Sequence, residues 1–285
     1  MPTIAEKLKA RDGDLTRAER QLAAAILENY PIPGLGSITE LAELADVSTP
    51  TVARLVQKLG FSGYPEFQQA LRAELSEIIS NPAQKRAEVV PELPETHVLH
   101  RFSVAARDNI RATLEGIDLA EFDALRLRIA DPKRRVHIAG GRLSGTIAQT
   151  LYLHMQMIRE GVFFIPPHAS WTHSLLDLGS DDTLILFDVR RYENTTLLMA
   201  EMAHDQGVEV VLFTDQWRSP IQKLATHTFA ARINVPSAWD SSVALLLLVE
   251  SLIAALQEDQ WESVKERTDK LEAAFDRSRL FRKFT

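Results

Sequence analysis

The chain has 285 residues, 45% hydrophobic and 25% charged, with no cysteine and a net charge of −7. The length suits two domains at roughly 100–200 residues each, and the balance of apolar and charged residues excludes disorder of the whole chain. The lack of cysteine excludes disulfides, thiolate nucleophiles and Cys-ligated metals, and the acidic balance excludes a protein that coats nucleic acid through bulk positive charge.

A local DNA-reading element on a small domain remains compatible with that charge. The N-terminal residues Met-Pro-Thr-Ile-Ala-Glu-Lys-Leu contain no apolar core of signal-peptide length. The most apolar run, Val243 to Leu256, contains Glu250 and falls short of the roughly 20 residues that span a bilayer. No membrane partner is expected, and the chain is expected in the cytoplasm.

Residues 1–80 read as an all-α domain of short helices, because apolar positions recur at three- and four-residue spacing: Leu22, Ala25, Ile26 and Tyr30, then Leu41, Leu44 and Ala45, then Val52, Leu55, Val56 and Leu59. Within it Ser37 or Thr39 can cap a short helix holding Leu41, Ala42 and Leu44. Ala45-Asp46-Val47 makes a turn, and Ser48 caps a second helix that tolerates Pro50 in its first turn. The outline is a helix-turn-helix. Val52, Leu55, Val56 and Leu59 hold the second helix on its domain, which leaves Thr49, Thr51, Ala53, Arg54, Gln57 and Lys58 to project outward. Hydroxyls, an amide and cations with no acid among them suit base edges and phosphates in a major groove, and Arg54 is the first candidate for such a contact. On spacing alone, an ordinary amphipathic helix pair fits the same pattern.

The whole segment also resembles the N-terminal domain of the RpiR family of transcription regulators. The resemblance runs from Leu15-Thr-Arg-Ala-Glu-Arg20 through Ile38-Thr-Glu-Leu-Ala42 and Val47-Ser-x-x-Thr-Val-x-Arg-Leu-x-x-Lys-Leu-Gly-Phe61 to Gly63-Tyr64-x-x-Phe67. It implies a DNA-binding domain joined to a sugar isomerase (SIS) domain, a doubly wound fold that binds phosphosugars.

Residues 81–96 carry Pro82, Pro91 and Pro94 among charges without a clear period and read as a linker. From 97 to 285 a second domain is expected. Helical patterns at about 97–116 and 118–130 precede the runs Val136 to Ala139, Val162 to Ile165, Thr183 to Phe187, Val208 to Phe213 and Thr228 to Ile233, which alternate with amphipathic stretches. That alternation predicts an α/β fold: a doubly wound, parallel, five-stranded sheet covered by helices on both faces.

Ligand contacts are expected at the strand ends. Gly140-Gly141-Arg142-Leu143-Ser144-Gly145 is a Gly-rich strand-to-helix turn that can present backbone N–H groups to an anion, or can simply be a tight turn. In the resemblance it corresponds to the first phosphosugar loop, usually Gly-x-Gly-x-Ser, with Gly140 and Ser144 in register and Arg142 in place of the second glycine. After the third run, Asp188-Val-Arg-Arg-Tyr-Glu-Asn-Thr-Thr196 stands where SIS domains usually carry Ser-x-Ser-Gly-x-Thr. The phosphate-gripping serines and glycine are gone, and Arg190 and Arg191 are present instead. Those arginines either clamp an anionic ligand or pair with Asp188, Glu193 or a neighbouring subunit. His168 and Trp171-Thr172-His173 follow the second strand and can line the same crevice; no metal and no cofactor are expected. Asp240-Ser241-Ser242 opens the long apolar helix as a cap, with Ser241 a candidate ligand hydroxyl. The terminal helix from Trp261 to about Phe281 suits a solvated or dimer-contacting face.

These features favour a regulator that binds double-stranded operator DNA and responds to a small anionic metabolite such as a sugar phosphate or sugar acid. It would work as a homodimer or homotetramer, with repression of a catabolic operon as the output. The alternative is a phosphosugar isomerase with an accessory helical domain, for which Glu193 and His173 are the base candidates, beside a degraded phosphate loop. A scaffold that binds a protein partner through the helical domain is the third.

Overall fold

The computed structural model describes residues 2–89, 96–166 and 170–282, and the chain divides into two compact units, residues 1–93 and 94–285. His168 lies outside the described residues.

The first unit is helical: α1 (Ile4–Ala10), α2 (Arg17–Glu28), α3 (Ile38–Leu44), α4 (Thr49–Lys58), α5 (Tyr64–Ile79) and α6 (Pro82–Val89). Three of these starts are written locally. Thr3 with Glu6, Thr16 with Glu19, and Ser37 with Glu40 each form a capping box, in which the hydroxyl accepts an amide N–H of the first turn and the glutamate accepts the N–H of the cap residue. The amphipathic faces of these helices converge on one core around Leu22, Ile26, Leu41, Val52, Leu55, Phe67 and Leu71. α6 is a correction: it occupies a stretch read as an aperiodic linker. Its polar composition hides a reciprocal cap, with Asn81 Oδ1 accepting the Gln84 N–H at 3.0 Å and Gln84 Oε1 accepting the Asn81 N–H at 2.9 Å.

The second unit opens with α7 (Val98–Glu115) and α8 (Leu119–Ala130). It continues β1 (Arg135–Gly140), α9 (Gly145–Ile158), β2 (Val162–Ile165), α10 (Trp171–Leu175), β3 (Asp182–Asp188), α11 (Asn194–Asp205), β4 (Glu209–Asp215) and β5 (His227–Ala231), and closes with α12 (Val243–Asp259) and α13 (Trp261–Ser278). All five strands are parallel in the order β2-β1-β3-β4-β5. Alternate strand residues enter two separate cores. Val136, Ile138, Ile185, Phe187, Val211, Phe213 and Phe229 pack under α8, α9 and α12, whereas Ala139, Leu184, Leu186, Val210 and Leu212 pack with Leu175, Met199 and Ala203. Burial on both faces is why the inner strands β1, β3 and β4 read as unbroken apolar runs. On the first face Phe187, Phe213 and Phe229 stack in series, with ring centroids 4.9 and 5.2 Å apart.

The chain leaves β1 for β2 on one side and returns to β3 on the other. The carboxyl ends of β1 and β3 therefore flank the topological switch point, where doubly wound sheets open a crevice. A separate groove of about 810 Å³ lies at the opposite sheet edge, between the segments leading into β1 and β2 and the start of α13. Its cations are engaged: Arg159 Nε donates to Glu160 O at 2.9 Å, Arg267 Nε to Gln156 O at 2.7 Å, and Lys270 pairs with Glu266 at 2.6 Å. The crevice, not this groove, is the candidate ligand site.

Candidate functional site

The DNA-reading element is the pair α3 and α4. Asp46 adopts a left-handed conformation (φ 49°) between them, and the Val47 N–H bonds back to Ala42 O at 2.9 Å, which closes the turn. A short polar side chain tolerates that region better than a branched one. Val52, Leu55 and Val56 are buried, and Arg54 and Gln57 project to solvent with Thr49 half-buried beside them.

Two of the outward-facing expectations do not hold. Thr51 is buried, and its hydroxyl lies 2.9 Å from that of Ser48 and accepts from Arg54 Nη2 at 3.1 Å. One turn before Leu55, it falls on the packed face. Ser48 accordingly makes no side-chain bond to a helix amide. Lys58 reaches back across the domain instead of outward, donating to Asp14 O at 3.0 Å and to Glu19 Oε2 at 2.8 Å. Burial opposes ionisation of Glu19, but the hydrogen bonds from Lys58 and Thr16 together outweigh it and hold the carboxyl below its usual range.

In the second unit, Gly140 ends β1 opposite Phe187 of β3. A Cβ on Gly140 would stand 2.9 Å from Gly145 N and 3.0 Å from Gly145 Cα, both backbone atoms, so only glycine admits the tight entry into α9. We expect Gly140→Ala to destabilise the second unit by about 2 kcal/mol, as overpacking of a closed site does. Urea denaturation reads this directly, and an unchanged midpoint would refute the close approach. Ser144 is buried: its Oγ donates to Phe187 O at 2.7 Å and accepts the Gly141 N–H at 3.0 Å, so it ties the β1 turn to β3. The Arg142 side chain is exposed, and its backbone N–H donates to Glu193 Oε1 at 2.6 Å.

Arg190, expected as a free clamp or a partner of Asp188 or Glu193, is a buried brace. Its Nε and Nη2 donate to the two carboxylate oxygens of Asp240 at 2.8 and 2.9 Å, and its guanidinium lies over the Trp217 ring at 5.1 Å. Arg191 is exposed. Asp240 thus answers an arginine, and the cap of α12 falls to Ser241: it is buried, its Oγ accepts the Val243 N–H at 3.4 Å, and its own N–H donates to Ile233 O at 2.8 Å. His173 is exposed on α10.

Sequence reasoning missed Asp215 and named Asp188 only as a partner for the arginines. Asp215, ending β4, is fully buried and accepts the Arg190 N–H at 2.7 Å, the Tyr192 hydroxyl at 2.9 Å and the Trp217 N–H at 2.9 Å; burial pushes it up to about 6 against those hydrogen bonds. Asp188, ending β3, accepts from the Ser219 hydroxyl at 2.5 Å. Burial pushes it up to about 7, with the charges of Asp215 and Glu193 adding to the shift and the hydrogen bonds from Ser219 and Glu193 opposing it. The available signal was an acid closing each of two apolar strand runs, where an unpartnered carboxylate would not be buried. The result is a polar network joining the loops after β3 and β4 to the start of α12.

Comparisons with known proteins agree with both halves. Residues 3–78 match the helix-turn-helix domain of the rpiR family, and residues 128–255 match the SIS domain. An uncharacterised transcriptional regulator of the same helix-turn-helix type from Clostridium perfringens is 22% identical over 95% of this chain and 98% of its own length. The regulator HexR of Pseudomonas aeruginosa is 31% identical over 52% of this chain and 50% of its own. Among solved structures, the sugar isomerase domain of an RpiR transcription factor from Sphaerobacter thermophilus superposes with a TM-score of 0.59 at 20% identity, covering 62% of this chain and 99% of that one. The Vibrio vulnificus NanR protein, complexed with ManNAc-6P, superposes with 0.55 at 22% identity, covering 95% and 97%. With a DNA-reading helix pair in its first unit and relatives named as transcriptional regulators, the chain is a DNA-binding regulator rather than an isomerase. It belongs to the RpiR family, with an N-terminal helix-turn-helix domain followed by a SIS domain.

Proposed function

We propose that the chain represses a catabolic operon and releases its operator when a small anionic metabolite, a sugar phosphate or a sugar acid, enters the crevice at the carboxyl ends of β1 and β3. The observation that carries this reading is the switch point itself. The Gly140 to Ser144 turn lies beside the loop after β3, and each loop holds an exposed arginine, Arg142 and Arg191. Gly140 and Ser144 shape the floor, while Arg190 and Ser241 act from behind as supports. NanR, of the same fold, is complexed with a sugar phosphate.

Two or four copies of the chain pair their helix-turn-helix domains on a two-fold symmetric operator with half-sites about one helical turn apart. Double-stranded DNA is read by Arg54, Gln57 and Thr49. The ligand acts through its different affinity for the DNA-competent and incompetent states. Among the described residues no helix is long and apolar enough to cross a membrane.

The test is binding of the purified chain to DNA from around its own gene, against random DNA at physiological salt. Selective binding is expected, Arg54→Ala should weaken it by about thirtyfold, and sugar phosphates or sugar acids should release it. Equal binding by Arg54→Ala would remove that residue from the interface. An operator complex indifferent to every anion would sink the ligand response.

A further inference from the structure

Glu193 stands half-buried at the start of α11, and its side chain turns back over the loop between β1 and α9. Its Oε1 accepts the Arg142 N–H at 2.6 Å and lies 2.9 Å from where a Cβ on Gly141 would stand, so the missing side chain lets the carboxylate rest on the backbone. Two of the neighbouring amides, those of Gly141 and Gly145, are already committed. The Gly141 N–H bonds to Phe187 O at 3.1 Å and Ser144 Oγ at 3.0 Å, and the Gly145 N–H bonds to Gly141 O at 2.6 Å.

A tetrahedral phosphate dianion held by a Gly-rich turn draws on several converging donors, whereas one carboxylate oxygen is satisfied by one or two. Arg190, behind the loop, already answers Asp240. A dianion is repelled by the Glu193 carboxylate about twice as strongly as a monoanion is.

Resting on the anionic-ligand reading above, we infer that the group this loop takes from a ligand is a carboxylate, as in a hydroxy acid or sugar acid, and that it enters by displacing Glu193 from the Arg142 N–H. Glu193 is a tethered copy of the ligand's own functional group and sets the selectivity of the site. While it stays, a phosphate finds the Arg142 N–H occupied and a negative charge beside it. The Glu193 backbone need not move when the carboxylate leaves, because its C=O continues to accept the N–H groups of Thr196 and Leu197 at 3.1 and 3.2 Å. The apparent affinity for the ligand is lowered by the fraction of chains in which the carboxylate is still seated.

The experiment is a thermal-shift titration of the full chain with acetate and with inorganic phosphate at matched ionic strength, in wild type and Glu193→Ala. The variant should respond to acetate at concentrations at least tenfold below those wild type requires, and at least tenfold below those at which phosphate acts on the same variant. Phosphate matching acetate in the variant, or equal acetate responses in the two chains, overturns the inference. If Glu193→Ala does not fold, Glu193→Ser supplies a good helix cap and is judged by the same comparisons. Operator release is scored separately. Anions that release DNA equally from wild type and variant sink the displacement and leave the regulatory reading standing. Acetate capture by the variant, with no anion releasing DNA from either chain, supports the displacement and sinks the regulatory reading.

Discussion

Replacing Arg190 with Ala should lower the stability of the SIS unit by about 3 kcal/mol, because it removes one half of a buried, bidentate ion pair. The side chain is 4% exposed, and its partner Asp240 is 23% exposed. The substitution leaves that carboxylate without its guanidinium and uncovers the Trp217 ring face, which Arg190 overlies at 5.1 Å. For a unit of this size the midpoint of its thermal transition should fall by roughly 6–12 °C, read by calorimetry on the full chain. Arg190→Lys should recover only part of the loss, since an ammonium cannot reproduce the two parallel bonds. An unchanged transition with an abolished ligand response would reverse the assignment and make Arg190 a ligand contact.

The second large effect depends on pH. In the fold Asp188 keeps its proton up to about pH 7, whereas in the unfolded chain it ionises near 3.8. Between those values the folded state binds a proton that the unfolded state does not, so the stability this group contributes is present at low pH and is lost as pH rises towards 7. Asp215, pushed up to about 6, acts in the same direction. Across pH 5 to 8 the loss from Asp188 amounts to about 3 kcal/mol. Asp188→Asn keeps an acceptor for the Glu193 N–H and removes the charge. Urea denaturation across that range should show the variant losing about 3 kcal/mol less than wild type, and parallel profiles would show that Asp188 does not titrate there.

Much of the architecture could be read from residue order because its causes are local. A strand buried on both faces must be apolar throughout, so Thr183 to Phe187 and Val208 to Phe213 announced themselves, and Ser37 with Glu40 marked a helix start within four residues. The errors have the opposite cause. Thr51 is polar and was assigned to the outside, yet it is satisfied by Ser48 and Arg54 on its own helix and turned inward. Lys58 answers Glu19, 39 positions away, and Arg190 answers Asp240, 50 positions away. Nothing in a local window connects such partners, and only the sheet order brings the loops after β3 and β4 to the start of α12. The candidate site was legible as a set of strand ends. Which of its charges are engaged was not.

The engagement of Lys58 has a consequence for how the regulator searches a genome. Tight non-specific adhesion to DNA grows with the number of phosphates a protein neutralises, each releasing condensed counterions. On α4 one of the two cations is held by Asp14 and Glu19 within its own domain. A single copy of the domain is therefore expected to hold random sequence through one phosphate contact fewer than the composition of α4 offers, and under the function proposed above operator occupancy would depend the more on base-edge complementarity and on pairing of copies.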